Sequence, residues 1–258
     1  MKWKLSFNAP RFLLRRQPII DQLTPSLDLH FLEVGAGNLK LSFELLKYYK
    51  TGVAVDLNDN IHKLYHDSDN ALKVALSVAN IDVYDVDVRQ RFDSVFVCEV
   101  LEHIQDDVSF MQQLNRLTRP GGNIIGSVPC NMGLWSHHDD IVGHVRRYER
   151  RELKYKLEQA GYNQVRILSY GYPWIHIFRI LRIANSRLSQ SSTNPLDDTI
   201  KSSENQLPRV LHRLSDLSAI FFNKYTFFLP CLLSRFFYSC DNSDGFVFTA
   251  VKSSDNVV

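Results

Sequence analysis

Two glycines, Gly35 and Gly37, stand directly after a short apolar run that ends Phe31-Leu32-Glu33-Val34. A backbone that turns sharply and lets a ligand come close needs residues without a Cβ. A second apolar run ends in Val55-Asp56, about 20 residues further on, where a carboxylate can accept bonds from both hydroxyls of a ribose. A dinucleotide fingerprint would place a third glycine at position 40; that residue is Lys40, which counts against a nicotinamide or flavin site. Taken alone, the two glycines also suit an ordinary strand-to-helix turn.

Reactive side chains gather again between Trp135 and Tyr148, a stretch holding His137, His138, Asp139, Asp140, His144, Arg146 and Arg147. Histidine titrates near neutrality, so it can take the proton of an attacking hydroxyl. His144 is the first candidate for that base, with Asp139 as its orienting partner, and His138 the second. An equally weighted reading makes Asp139 and Arg147 a structural ion pair with His144 as a packing residue. Arg147 has the planar fork that binds an anionic group. Tyr148 and Trp135 are further substrate candidates, although Tyr148 suits a core position with a tethered hydroxyl equally well. Arg146 is expected on the solvated surface. The four cysteines, Cys98, Cys130, Cys231 and Cys240, lack metal-ligand spacing and are expected as reduced thiols; nothing in the sequence calls for a metal.

The elements that must hold these residues alternate. Short, nearly continuous apolar runs at 30–34, 52–55, 80–83, 94–98 and 123–128 read as strands buried on both faces, and helical patterns at 39–49, 60–66 and 107–117 lie between them. That alternation implies right-handed crossovers and a parallel sheet. Pro120-Gly121-Gly122 leads out of one helix, and a further helix at 151–160 ends before Gly161. Strands at 164–169 and 245–252 close the pattern. The expected fold is α/β: a seven-stranded, mostly parallel, doubly wound sheet with a helical insertion before its last strand. One domain spans 1–258, with an N-terminal helix at 10–24 and a lid or insertion at 173–240. The insertion has an aromatic, basic stretch at 174–188, a polar run at 189–206, and apolar helices near 210–222 and 227–237.

These segments resemble the class I, Rossmann-like S-adenosylmethionine-dependent methyltransferases, from Leu32 to Lys252 and most strongly from Leu32 to Gly161. Glu33-Val34-Gly35-Ala36-Gly37 is similar to the family's first motif, and the resemblance implies that Glu33, Gly35 and Gly37 embrace the methionine end of S-adenosyl-L-methionine. Asn38 replaces a third glycine found in many members. Asp56 matches the ribose-binding acid. Asp82-Val83, expected to end the third strand, resembles the pair that brackets adenine. Glu99, in Val97-Cys98-Glu99-Val100-Leu101-Glu102-His103, is implied near the cofactor, while Glu102 and His103 read as helix-entry residues. The Trp135–Tyr148 loop resembles one in a branch associated with cell-envelope glycan or lipid pathways.

The implied activity is methyl transfer to a small-molecule, lipid-linked or glycan acceptor, with oxygen the preferred atom. A quinone-precursor or other aromatic methyltransferase is the enzymatic alternative, and a catalytically silent scaffold of the same fold the non-enzymatic one. With 258 residues, a formal net charge of +2 and 45% hydrophobic residues, the composition is globular and does not point to nucleic acid. No Asn-Pro-Pro-aromatic element follows the fourth strand, which also counts against a nucleic-acid methyltransferase. No signal peptide or membrane span is read, so a cytoplasmic location is expected. Arg11, Arg15, Arg16 and the apolar insertion could form a peripheral surface on the inner membrane face. The acceptor and the oligomeric state are not legible.

Overall fold

The computed structural model describes residues 10–23, 26–68, 73–174, 225–241 and 243–253. Seven strands form one sheet: β1 His30–Val34, β2 Thr51–Val55, β3 Leu76–Ala79, β4 Phe92–Cys98, β5 Thr118–Pro129, β6 Tyr162–Tyr170 and β7 Gly245–Lys252. Their order is β3-β2-β1-β4-β5-β7-β6, with β7 antiparallel to both neighbours. Register is fixed at the centre, where Leu32 of β1 pairs with Val53 of β2 on one side and Val95 of β4 on the other.

Successive residues of the central strands feed opposite faces, as the pleat requires. Leu32, Val34, Val95 and Val97 enter one apolar cluster, while Phe31, Phe96 and Cys98 enter the other. Helices α4 (Asp107–Leu117) and α6 (Arg150–Gln159) bring Phe110, Met111, Leu114, Leu117, Leu153 and Leu157 to the first. Helices α1 (Pro10–Ile20), α2 (Lys40–Leu45), α3 (Asn60–His66) and α7 (Phe228–Ser234) cover the second. Edge-to-face contacts join Phe31, Tyr49 and Phe96 there. The remaining helix, α5, is short and spans His137–Val142.

The structure moves the third strand. It spans Leu76–Ala79 and pairs with β2, whereas residues 80–83 lie beyond its end. The reason is local: the Asp82 carboxylate accepts the Tyr84 amide at 3.0 Å and starts the 3-10 turn Val83–Asp85, which breaks the extended chain. Helix α2 is shorter than its apolar pattern, beginning after Leu39 at φ 58° and stopping at Leu45.

A second correction concerns α1. Arg11, Arg15 and Arg16 are half-buried and paired rather than free: Arg11 and Arg15 meet Glu99, and Arg16 pairs with Glu44. Arg146 is likewise not a solvated residue; its guanidinium bonds the Asp107 carboxylate at 2.7 Å and the Gln105 carbonyl at 2.6 Å. Of the insertion, Trp174 donates to the Pro230 carbonyl at 3.0 Å, and a 3-10 turn Arg235–Phe237 follows α7. The stretches expected at 174–188, 189–206 and 210–222 lie outside the described residues, apart from Trp174. Among the described residues no helix is long and apolar enough to cross a membrane.

Candidate active site

The strand order reverses between β1 and β4, and open α/β sheets bind ligands outside the carboxyl ends of the strands at such a point. Gly35 and Gly37 follow β1 there with φ of 71° and 51°, conformations that L side chains rarely adopt. Gly35 is also crowded: a Cβ would sit 2.3 Å from Val100 Cγ2. At Gly37 a Cβ would meet nothing within 4 Å among the described residues. The Gly37 amide donates to the Asp56 carboxylate at 2.7 Å, and that carboxylate also accepts the Asn58 amide at 2.8 Å. Gly35 donates to the Val55 carbonyl at 2.9 Å, tying the glycine loop to the end of β2. Glu33 is buried and hydrogen-bonded by Ser42. Burial, partly offset by the Ser42 hydroxyl and Arg15, pushes its carboxyl up to about 7. Asp82 is half-buried and caps its turn, and Val83 packs in the core with 3% of its surface exposed.

Glu99 occupies the turn after β4 with φ 57°. Its carboxylate meets Arg11 at 3.1 Å and Arg15 at 3.4 Å and accepts Ser127 Oγ at 2.8 Å. Burial alone would raise its titration; the two guanidinium groups outweigh burial and hold it well below the usual carboxylate range. This clamp from α1 onto the β4 turn was not read from the sequence.

The loop after β5 is pinned to the same turn, because the Val145 amide donates to the Glu102 carbonyl at 2.8 Å. Asp139 sits at the third position of α5, inside a capping box with Ser136, whose amide and hydroxyl bond one of its oxygens at 2.8 and 2.9 Å. Arg147 grips the carboxylate with two nitrogens at 2.9 and 3.2 Å, and its third bonds the Cys130 carbonyl at 3.1 Å. His144 Nδ1 lies 2.8 Å from Asp139 Oδ1. Asp139 thus makes both contacts raised by the sequence, an ion pair with Arg147 and a hydrogen bond with His144. Burial would raise the Asp139 carboxyl, but Arg147, His144 and Ser136 hold it well below its usual range. Burial lowers the His144 titration against the pull of Asp139. The imidazole is therefore neutral near pH 7, with its proton on Nδ1 toward Asp139 and its lone pair on Nε2.

Arg147 and Tyr148 are placed as framework. The Arg147 fork is occupied, and Tyr148 is fully buried with its hydroxyl donating to Asp107 at 2.7 Å and near the Leu101 carbonyl at 3.2 Å. Trp135 donates its indole N–H to Asp140 at 3.0 Å. His138 is half-buried on α5 beside Asp139. Glu102, His103 and His144 come together although the sequence did not link them, each offering a ligand atom within 4.8 Å of the others.

Residues 32–126 match the family model of a methyltransferase domain. The mitochondrial ubiquinone biosynthesis O-methyltransferase of Arabidopsis thaliana is 31% identical over 122 residues, covering 46% of this chain and 38% of that protein. The ubiquinone biosynthesis O-methyltransferase of Coxiella burnetii is 28% identical over 130 residues, covering 50% of this chain and 55% of that protein. The match thus takes in about half of these curated relatives' length or less. A methyltransferase of Haloferax volcanii solved with the Trm112 activator superposes with a TM-score of 0.59 at 13% identity, covering 94% and 91% of the two chains. Phosphoethanolamine N-methyltransferase 2 of Haemonchus contortus, solved with S-adenosyl-L-methionine, gives 0.56 at 16% identity, covering 96% of this chain and 54% of that one. At these identities the two structures share the fold.

Proposed function

From the premise that this chain carries a class I, Rossmann-like S-adenosylmethionine-dependent methyltransferase domain, we propose that it methylates a hydroxyl of a small-molecule acceptor. Glu33, Gly35, Gly37 and Asp56 hold the cofactor in this reading, with Glu33 near the methionine ammonium and Asp56 on the ribose hydroxyls. The lack of any described neighbour within 4 Å of a Gly37 Cβ and the half-buried Asp56 suit that group. Bound there, the cofactor supplies an electrophilic methyl on a sulfonium. What remains for the protein is alignment of the acceptor oxygen, the methyl carbon and the sulfur, and removal of the hydroxyl proton.

One observation carries the reading. The Glu99–His103 turn touches both halves of the site: Val100 packs on Gly35, while the Glu102 carbonyl anchors the loop of His144. Glu99 and His144 are close enough for each to influence the other's titration. A neutral histidine, oriented by a carboxylate, is therefore tied to the same turn that packs on the glycine loop. An aromatic hydroxyl is the acceptor favoured by the curated relatives, which are O-methyltransferases of ubiquinone biosynthesis.

Calorimetric titration with S-adenosylmethionine and S-adenosylhomocysteine tests the cofactor site, with Asp56→Ala as control. Transfer of labelled methyl to catechols, phenols and aliphatic alcohols tests the acceptor. Micromolar binding lost in the variant, with transfer to a hydroxyl, is expected. A folded chain that binds neither molecule removes the reading. Binding without transfer to any acceptor would favour a silent scaffold.

A further inference from the structure

We propose that Asp244 is a positioning residue for His144, and that through Arg11 it makes the seating of α1 part of assembling the base. Arg147 holds Asp139 with Nε and Nη2. Its far nitrogen, Nη1, bonds the Cys130 carbonyl and lies 3.5 Å from Asp244 Oδ1. The other oxygen of Asp244 lies 3.5 Å from Arg11 Nε, and Arg11 Nη2 meets Glu99 at 3.1 Å. Charges therefore alternate without a break through Glu99, Arg11, Asp244, Arg147 and Asp139. The series joins the turn after β4, α1, the residue before β7, the loop after α5 and α5 itself. It ends on the base, because Asp139 Oδ1, which takes Arg147 Nε at 2.9 Å, also faces His144 Nδ1 at 2.8 Å.

Asp244 is itself held in place. Its carbonyl accepts the Cys130 amide at 3.1 Å, beside the end of β5. Gly245 follows with no room for a side chain: a Cβ there would stand 2.4 Å from the Tyr170 ring. The Tyr170 hydroxyl in turn accepts from Arg11 Nε at 3.3 Å, so one tyrosine braces both members of the Arg11–Asp244 pair. A planar guanidinium gripped along one edge by Asp139 can still swing about that edge. A second anchor at the far nitrogen stops the swing. Asp139 is fully buried and Arg147 nearly so, which leaves these charges little screened. Any tilt of Arg147 therefore passes straight to the oxygen that orients His144.

The inference deepens the proposed function and rests on its choice of His144 as the base. Arg11 extends the linkage to α1. With α1 seated, Arg11 balances the Asp244 carboxylate. With α1 displaced, that carboxylate has only Arg147 to neutralise it and draws the guanidinium away from Asp139. Seating of the helix and orientation of the imidazole thus become one event, carried by a contiguous series of charges.

The test uses the full chain with nitrogen-15 histidine. The ring resonances of His144, assigned by their loss in His144→Gln, report its tautomer and the Asp139 contact without any substrate. They should shift in Asp244→Asn, which keeps the side-chain shape, and in Arg11→Met, and return toward wild type in Arg11→Lys. Arg16→Gln loosens α1 at its contact with Glu44, outside the series, and should leave them in place. For transfer to a hydroxyl acceptor, kcat should fall ~10-fold in Asp244→Asn with KM within about twofold. The double variant Asp244→Asn/Arg11→Met should lose no more than the worse single variant, as members of one linkage do. Unshifted His144 resonances in Asp244→Asn, or an equal shift in Arg16→Gln, overturn the inference. Shifted resonances with unchanged kcat, or with no transfer by any form of the chain, reject His144 as the base and leave its linkage to Asp244 standing.

Discussion

Gly35 and Gly37 share a positive φ but not an environment, and alanine at each should separate the two costs. Placing an L residue in the left-handed region costs about 1–2 kcal/mol, and loss of unfolded-chain freedom returns about 0.4–1. At Gly37 nothing among the described residues lies within 4 Å of the new methyl, so Gly37→Ala should cost about 1 kcal/mol or less. At Gly35 the methyl would stand 2.3 Å from Val100 Cγ2. That is ~1.5 Å inside ordinary carbon contact, and overpacking of this kind adds about 1–3 kcal/mol. Gly35→Ala should therefore cost about 2–4 kcal/mol in total. Urea unfolding of both variants measures the difference. Repeating it in a Val100→Ala background should remove most of the excess at Gly35 and none at Gly37. Equal destabilisation of the two variants, or an excess that survives Val100→Ala, would refute the assignment of Gly35 to close approach. S-adenosylhomocysteine titration adds a second axis, because Gly37→Ala should weaken cofactor binding while hardly touching stability.

Glu33 titrates near 7 in the fold against an ordinary 4.5, so in that window the folded chain binds more protons than the unfolded one and stability falls as pH rises. The wild-type chain should lose about 3 kcal/mol relative to Glu33→Gln between pH 4.5 and 8, read from denaturant midpoints at each pH; parallel curves would show that Glu33 is not held protonated. Tyr148→Phe removes a buried hydroxyl bonded to Asp107 and should lower stability by about 1–2 kcal/mol while leaving cofactor affinity within about twofold; a large loss of affinity would return Tyr148 to the ligand. Glu99→Gln leaves Arg11 and Arg15 with less negative charge and should destabilise by about 1–3 kcal/mol, less than for a fully buried pair because these side chains are about a fifth exposed. Hydrogen exchange should then rise along α1, and unchanged protection there would show that the clamp does not hold the helix.

What could be read from the sequence was what repeats locally. The 30–34 and 245–252 strands and the helices at 60–66 and 107–117 coincide with the structure, because their apolar pattern and their flanking residues agree. The third strand was misplaced because 80–83 was read as a short apolar run, although Asn80 and Asp82 interrupt it and Asp82 is used as a cap. The glycines and Asp56 were legible for a related reason, since turn and acid lie on adjacent parallel strands whose spacing is set by one crossover. Arg11 and Arg15 of α1 gave no such signal: their partner, Glu99, is more than 80 residues away, and only the folded sheet brings them together. The cluster of Glu102, His103 and His144 was missed for the same reason, since about 40 residues and a whole strand separate the two histidines.

The framework roles of Asp139 and Arg147 are compatible with the proposed role of His144, because they fix its orientation. An exposed histidine on a free loop would titrate near its ordinary value and sample many rotamers. Here the capping box fixes Asp139, Arg147 holds its negative charge, and the amide of Val145 ties the loop to the turn that also carries Glu99. The outcome is one tautomer with Nε2 facing Glu102. A change at Arg147 should therefore reach the chemistry through His144 without any contact between Arg147 and substrate. Arg147→Lys retains the charge and loses the fork, so it should alter the turnover of any hydroxyl acceptor more than its Michaelis constant. An effect confined to the Michaelis constant would mean that Arg147 meets the substrate after all.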